Sequence, residues 1–268
     1  MLIVEFGSRL NGRARAFSDK DLLIIGDDWQ KINQKAAMFS GYSITKFKHD
    51  KANYLSANGS LFFKHVIDEG KVISDTENLM PILQNNWQPR LNYNNEIFSN
   101  IDLLEVLKIV PKNRWSNMFT LDLLIITIRN ILIRKLASEG IYSFGWESIF
   151  INSMQLKYLS EKDIPLLLYA RIIKNKYRSF SNTIINEHII GLLLNITSRL
   201  TNTAHKVGYG NEKQLLQSLN GYKSGSYKEL RVIELFCLNR EYSGELINYK
   251  QLISNPNYSC STKALTKT

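Results

Sequence analysis

The first 25 residues constrain this chain more than any other stretch. Leu2-Ile3-Val4-Glu5-Phe6 and Leu22-Leu23-Ile24-Ile25 are short apolar runs rich in β-branched and aromatic residues, the pattern of buried strands. Between them lie the turn Gly7-Ser8, a spacer with Arg9, Arg13 and Arg15, and the segment Ser18-Asp19-Lys20-Asp21. Side chains alternate across a strand, so Asp19 and Asp21 project from one face and Lys20 and Leu22 from the other. Two carboxylates held that close repel each other unless a cation lies between them. Oxygen-only ligands suit Mg²⁺, which keeps several waters and completes its shell with substrate phosphates. Without a Cβ, Gly7 lets a phosphate approach the backbone, and the Ser8 hydroxyl donates to a phosphate oxygen. The stretch therefore predicts a nucleotide-phosphate and metal site.

The combination of a strand, Gly7-Ser8, a spacer, then Asp19-Lys20-Asp21 on a second strand resembles the signature of the polymerase β-like nucleotidyltransferase superfamily. That resemblance implies an α/β (α+β) head in which Asp19 and Asp21 are the catalytic metal ligands for Mg²⁺ or Mn²⁺. Gly7, Ser8, Arg9 and Ser18 would bind the nucleotide. In the superfamily a third strand normally adds a third carboxylate. Here the alternating segment Tyr42–Lys48 puts Ser43, Thr45 and Phe47 on one face and Tyr42, Ile44 and Lys46 on the other, with no acid. The nearest carboxylate is Asp50. Three possibilities follow: Asp50 is swung in by a bulge, two acids suffice, or turnover is weakened.

At 268 residues two modest domains are expected, and 44% hydrophobic content is enough to give each a core. We place the catalytic domain at 1–80, a linker rich in Pro and Asn at 81–97, a helical domain at 98–241 and a polar tail at 242–268. Helical periods are expected over Trp29–Phe39, Leu61–Ile67, Ile101–Ile109, Phe119–Leu136, Trp146–Leu156, Ile164–Tyr177, Thr183–His205, Lys213–Leu219 and Tyr227–Leu238. A short strand is expected at Lys71–Ser74. Cys237 and Cys260 are too few for a disulfide framework or a zinc site, which fits a reducing cytoplasm. Leu123–Ile128 runs into Arg129, so no membrane insertion is expected, and the apolar start without basic residues predicts no signal peptide.

A net charge of +10 favours polyanionic partners. Arg171, Lys174, Lys176 and Arg178 fall within eight acid-free residues beside Tyr169 and Tyr177, a candidate track for single-stranded nucleic acid. Arg129 and Arg134 interrupt an apolar helix and need a counter-charge; a triphosphate or an acid of the first domain would serve, and Arg129 is a candidate nucleotide ligand. His65 is read as packed rather than catalytic. Arg199 and His205 have the spacing of ribonuclease toxins of the HEPN class, a rival reading. The plan of a small head plus a helical bundle is similar to stand-alone bacterial anti-phage nucleotidyltransferases, including Hailong-type enzymes that make single-stranded DNA oligomers. The resemblance thus implies an NTP or dNTP substrate, template-independent oligonucleotide synthesis and a toxin or effector protein encoded nearby. Its alternatives are an antitoxin-like or small-molecule-modifying transferase and a non-catalytic nucleotide-binding module.

Overall fold

The structure, a computed structural model, describes residues 1–7, 20–179, 181, 183–221 and 226–239. The expected members Ser8, Arg9, Ser18 and Asp19 and the 242–268 tail lie outside the described residues. The fold is mixed α+β, divided into a sheet unit, Met1–Tyr93 with Ile133–Asn152, and a helical unit, Asn94–Leu132 with the chain from Ser153 onward.

In the sheet unit, β1 (Leu2–Phe6), β2 (Asp21–Ile25), β3 (Ser43–Phe47) and β4 (Lys71–Asp75) form one sheet in the order β3-β2-β1-β4. β1 is antiparallel to both β2 and β4, and β2 is parallel to β3. The two central strands are covered on both faces, which explains their unbroken apolar runs. β3 and β4 lie at the edges and interleave polar residues, which discourages pairing with other chains. Leu2, Val4, Phe6, Leu23 and Ile25 pack on one face against α2 (His49–Ala57), α3 (Leu61–Glu69) and α4 (Leu79–Asn86) through Ala52, Phe63, Val66, Leu79 and Leu83. Ile3, Leu22 and Ile24 cover the other face with Ile32 and Ala36 of α1 (Trp29–Ala37). The Asp28 carboxylate caps α1, accepting from Gln30 N–H at 2.8 Å and Lys31 N–H at 3.3 Å.

Two local expectations are corrected. Part of the stretch read as a linker is α4, and the sheet unit extends through it to Tyr93. Pro81 stands in the first turn of α4, where its missing N–H costs no helical bond. The Asp75 carboxylate accepts from Leu79 and Met80 N–H, both at 2.8 Å. The sheet unit also reclaims Ile133–Asn152: Tyr142 meets Trp87 edge-on at 5.2 Å, and Ser138 Oγ accepts from Tyr93 N–H at 3.2 Å.

The helical unit contains α5 (Asn94–Leu103), a 3₁₀ helix (Leu104–Ile109), α8 (Asp163–Arg178), α9 (Glu187–Thr201), α10 (Glu212–Gly221) and α11 (Tyr227–Asn239). α6 (Ser116–Ser138) and α7 (Trp146–Gln155) cross the division between the units. By length and composition α6 could cross a membrane, but its most apolar window is 78% buried inside the protein, as in a core helix. The periodicity expected over Thr183–His205 is cut at both ends: α9 starts after the cap Asn186, which accepts from His188 N–H, and stops at Asn202, whose backbone is left-handed.

Candidate functional site

β1 ends where β2 begins, with Phe6 opposite Asp21. Asp21 is half-buried, and alternation puts it on the face shared by Leu23 and Ile25. The next residue of β1 is Gly7, at φ +101°, a conformation open to glycine and strained for other residues. A Cβ added there would lie 3.0 Å from Asp21 Oδ2. Gly7 thus makes room for the Asp21 carboxylate. Its identity and that of Asp21 are one structural feature.

The parallel register pairs Asp21 with Ser43 and Leu23 with Thr45, so both hydroxyls share the Asp21 face. Phe47, two residues on, packs into the same core, while Tyr42 and Ile44 pack on the opposite one. The strand face next to Asp21 therefore carries Ser43 and Thr45 and no acid. Asp50 is placed away from that face. It lies in the first turn of α2, beyond the Ile25–Phe47 end of the sheet, whereas Asp21 is at the other end. Four strand steps of about 3.3 Å separate the two ends by about 13 Å. His49, beside it, marks that far end by pairing with Asp27 at 2.9 Å.

His65 sits at the Asp21 end but is enclosed, edge-on to Phe6 at 5.7 Å, stacked on Phe144 at 4.6 Å and 3.3 Å from Glu69. This packing gives it a structural role. Among the described residues no three His, Cys, Asp or Glu side chains are grouped to hold a metal. The described donors at the corner are the Asp21 carboxylate and the Ser43 and Thr45 hydroxyls, hard oxygens of the kind Mg²⁺ takes. A second carboxylate would have to come from Asp19.

The expected basic track divides. Arg178 Nε donates to Asp122 Oδ1 at 3.0 Å and its Nη2 donates to Oδ2 at 2.8 Å, a bidentate pair inside the helical unit. Arg231 Nη2 reaches the same carboxylate at 2.9 Å, Arg231 Nη1 meets Glu234 at 2.9 Å, and Tyr177 donates its hydroxyl to Glu234. Burial raises the Asp122 pKa, but the charges of Arg231 and Arg178 outweigh it and hold the carboxyl below its ordinary value. Burial and the Glu234 charge together push the Tyr177 hydroxyl well up. Arg178 therefore serves Asp122 as a counter-ion while part of its side chain stays exposed. Arg171, Lys174 and Arg178 lie at i, i+3 and i+7 along α8, and Lys174 adds to the positive field on Asp122; Lys176 is exposed. Arg129 is half-buried in the part of α6 that belongs to the helical unit.

Sequence reasoning missed Asp122, although an acid inside Met118–Ile126 is the signal of a buried ion pair. The rival pair is engaged as well. Arg199 Nη2 contacts Asp163 at 2.6 Å, and the His205 ring lies 2.9 Å from Thr201 Oγ1. Burial lowers the His205 pKa despite an opposing effect of Glu105. Set against known proteins, the chain matches no family model, no curated sequence and no solved structure.

Proposed function

We propose that the chain is a metal-dependent nucleotidyltransferase, with an α+β nucleotidyltransferase head, that moves a nucleoside monophosphate from an NTP or dNTP to a hydroxyl. The observation that carries this reading is the Gly7–Asp21 corner, where a glycine with positive φ admits a carboxylate to the mouth of the sheet. Asp21, with Asp19, would hold Mg²⁺ or Mn²⁺. When bound, the cation neutralises phosphate charge and stabilises the attacking and leaving oxygens. In the transfer the acceptor oxygen bonds to the α-phosphorus, the bond to the β-phosphate oxygen breaks, pyrophosphate leaves and the hydroxyl proton passes to solvent or a carboxylate. Ser8 and the spacer arginine Arg9 would steady the departing phosphates, as the sequence pattern implies. The net charge of +10 favours a nucleic-acid strand as acceptor, and hence template-independent oligonucleotide synthesis of the anti-phage kind.

A second reading, a nucleotide-binding module without turnover, draws on the acid-free face of β3 next to Asp21. Incubation with each labelled NTP and dNTP, with Mg²⁺ or Mn²⁺, separates the two. A ladder on a gel indicates polymerisation, and a single shifted product indicates one transfer. Silence with saturable nucleotide binding favours the second reading. Silence without binding overturns both.

A further inference from the structure

We infer that a cleft in the helical unit, separate in its residues from the Gly7–Asp21 corner, binds a nucleotide unit through its phosphate and its base. The cleft measures about 300 Å³, at the lower end of the size range of ligand sites, and is lined by Lys112, Arg114, Asn117, Ile184, Glu187 and Tyr209 among others.

Its wall is built deliberately. Gly208 and Gly210 flank Tyr209, and Gly208 N–H donates to Leu107 O at 2.8 Å while Gly210 N–H donates to Val110 O at 3.0 Å. A Cβ on Gly208 would lie 2.5 Å from the Lys108 carbonyl oxygen, and one on Gly210 would lie 2.7 Å from that of Ile109. Only glycines let this strap lie so close. The strap forms a bridge between Val110 and Tyr209, and Tyr209 remains 52% exposed. An aromatic ring on a pinned backbone is a preformed stacking surface, with little ordering entropy left to lose on binding.

The cations are placed by aromatic rings rather than by acids. Lys112 Nζ lies 5.5 Å from the Tyr209 ring centre, and the Arg114 guanidinium lies 5.5 Å from that of the largely buried Trp115. Neither makes an ion pair among the described residues, so their charge is available to an anion. Asn113 supports them: it accepts from Trp115 N–H at 2.9 Å and donates to Leu238 O at 2.8 Å. Two cations, a half-exposed ring and one carboxylate, Glu187, match the parts of a nucleotide. The cations take the phosphate, the ring takes the base, and the acid accepts from a base N–H, such as the thymine ring imide, or from a sugar hydroxyl.

The test is fluorescence anisotropy with a labelled oligothymidylate of roughly ten residues, within the usual single-strand site size. EDTA is present and the background is the Asp19→Asn/Asp21→Asn variant, so that failure of the metal site and failure of the cleft are read apart. Lys112→Gln/Arg114→Gln should weaken binding at least about tenfold and flatten the log–log salt slope by about 1.4, two phosphate contacts at about 0.7 each. Tyr209→Leu should weaken it about tenfold with little change in slope. Lys31→Gln/Lys35→Gln removes the same net charge from exposed positions of α1 and should change neither. Displacement by ATP near the oligonucleotide's own affinity assigns the cleft to a free nucleotide, and displacement only by oligonucleotide assigns it to a strand. Wild-type affinity and slope in a folded Lys112→Gln/Arg114→Gln variant would overturn the inference.

Discussion

Asp122 and Asp21 both interrupt or begin apolar runs, and their surroundings give them different duties. Asp122 is fully buried against the guanidinium groups of Arg178 and Arg231, so Asp122→Asn strands the buried Arg231, releases the exposed Arg178 and should cost about 3–5 kcal/mol in urea unfolding. The pH dependence has a definite sign. The folded-state pKa lies below the ordinary value of 3.8, so the pair's stabilisation is complete above about that pH and fades as the pH falls through the folded value. Between pH 6 and pH 3 the urea midpoint of the wild type should therefore fall further than that of Asp122→Asn. Equal falls would mean the carboxylate gains nothing from its arginines. Asp21 instead stands at the end of a strand with a glycine against it. Gly7→Ala puts a methyl group 3.0 Å from Asp21 Oδ2 and forces a residue with a Cβ to φ +101°. We expect a loss of about 1–3 kcal/mol in stability and a larger proportional loss of nucleotide transfer, measured on the same preparation.

At the scale of elements, the parallel register of β2 and β3 places Thr45 on the Asp21 face and Asp50 beyond the other end of the sheet. Asp50→Asn changes a side chain at the far end of the sheet and should leave the transfer rate within about twofold of wild type, whereas Thr45→Asp adds a ligand on the Asp21 face and should maintain or raise it. An inactive Asp50→Asn that still binds nucleotide would contradict this placement. The strands were legible in the sequence because β1 and β2 are buried on both faces and β3 alternates. α1 and α3 were legible from their apolar stripes, α1 also from the cap at Asp28, and α6 from apolar residues on most of its faces. α2 was not, since it buries only Ala52 and Ser56, with Ser56 Oγ donating to Leu83 O at 2.7 Å. Small residues leave no hydrophobic period to read. α4 was hidden by Pro81, which breaks a helix in the interior yet is tolerated in its first turn. The Gly7–Asp21 proximity followed from motif spacing, but the pairing of Arg178 with Asp122 joins residues 56 positions apart and has no local signature.

Taken as a whole, the chain carries the acidic Gly7–Asp21 corner within a protein of net charge +10. A loss of oligonucleotide affinity of about eighteen-fold or more on raising salt from roughly 50 to 200 mM would match a strand bound through three or more phosphate contacts. That behaviour concerns polyanion binding and leaves the chemistry to a more direct experiment. The decisive measurement is the rate of pyrophosphate release with each NTP and dNTP, in Mg²⁺ and in Mn²⁺, for the wild type and for a folded Asp19→Asn/Asp21→Asn variant. The account predicts metal-dependent release by the wild type, in step with nucleotide incorporation, and a fall of at least about a hundredfold in the variant. Release by the double variant at the wild-type rate would contradict the assignment of the site.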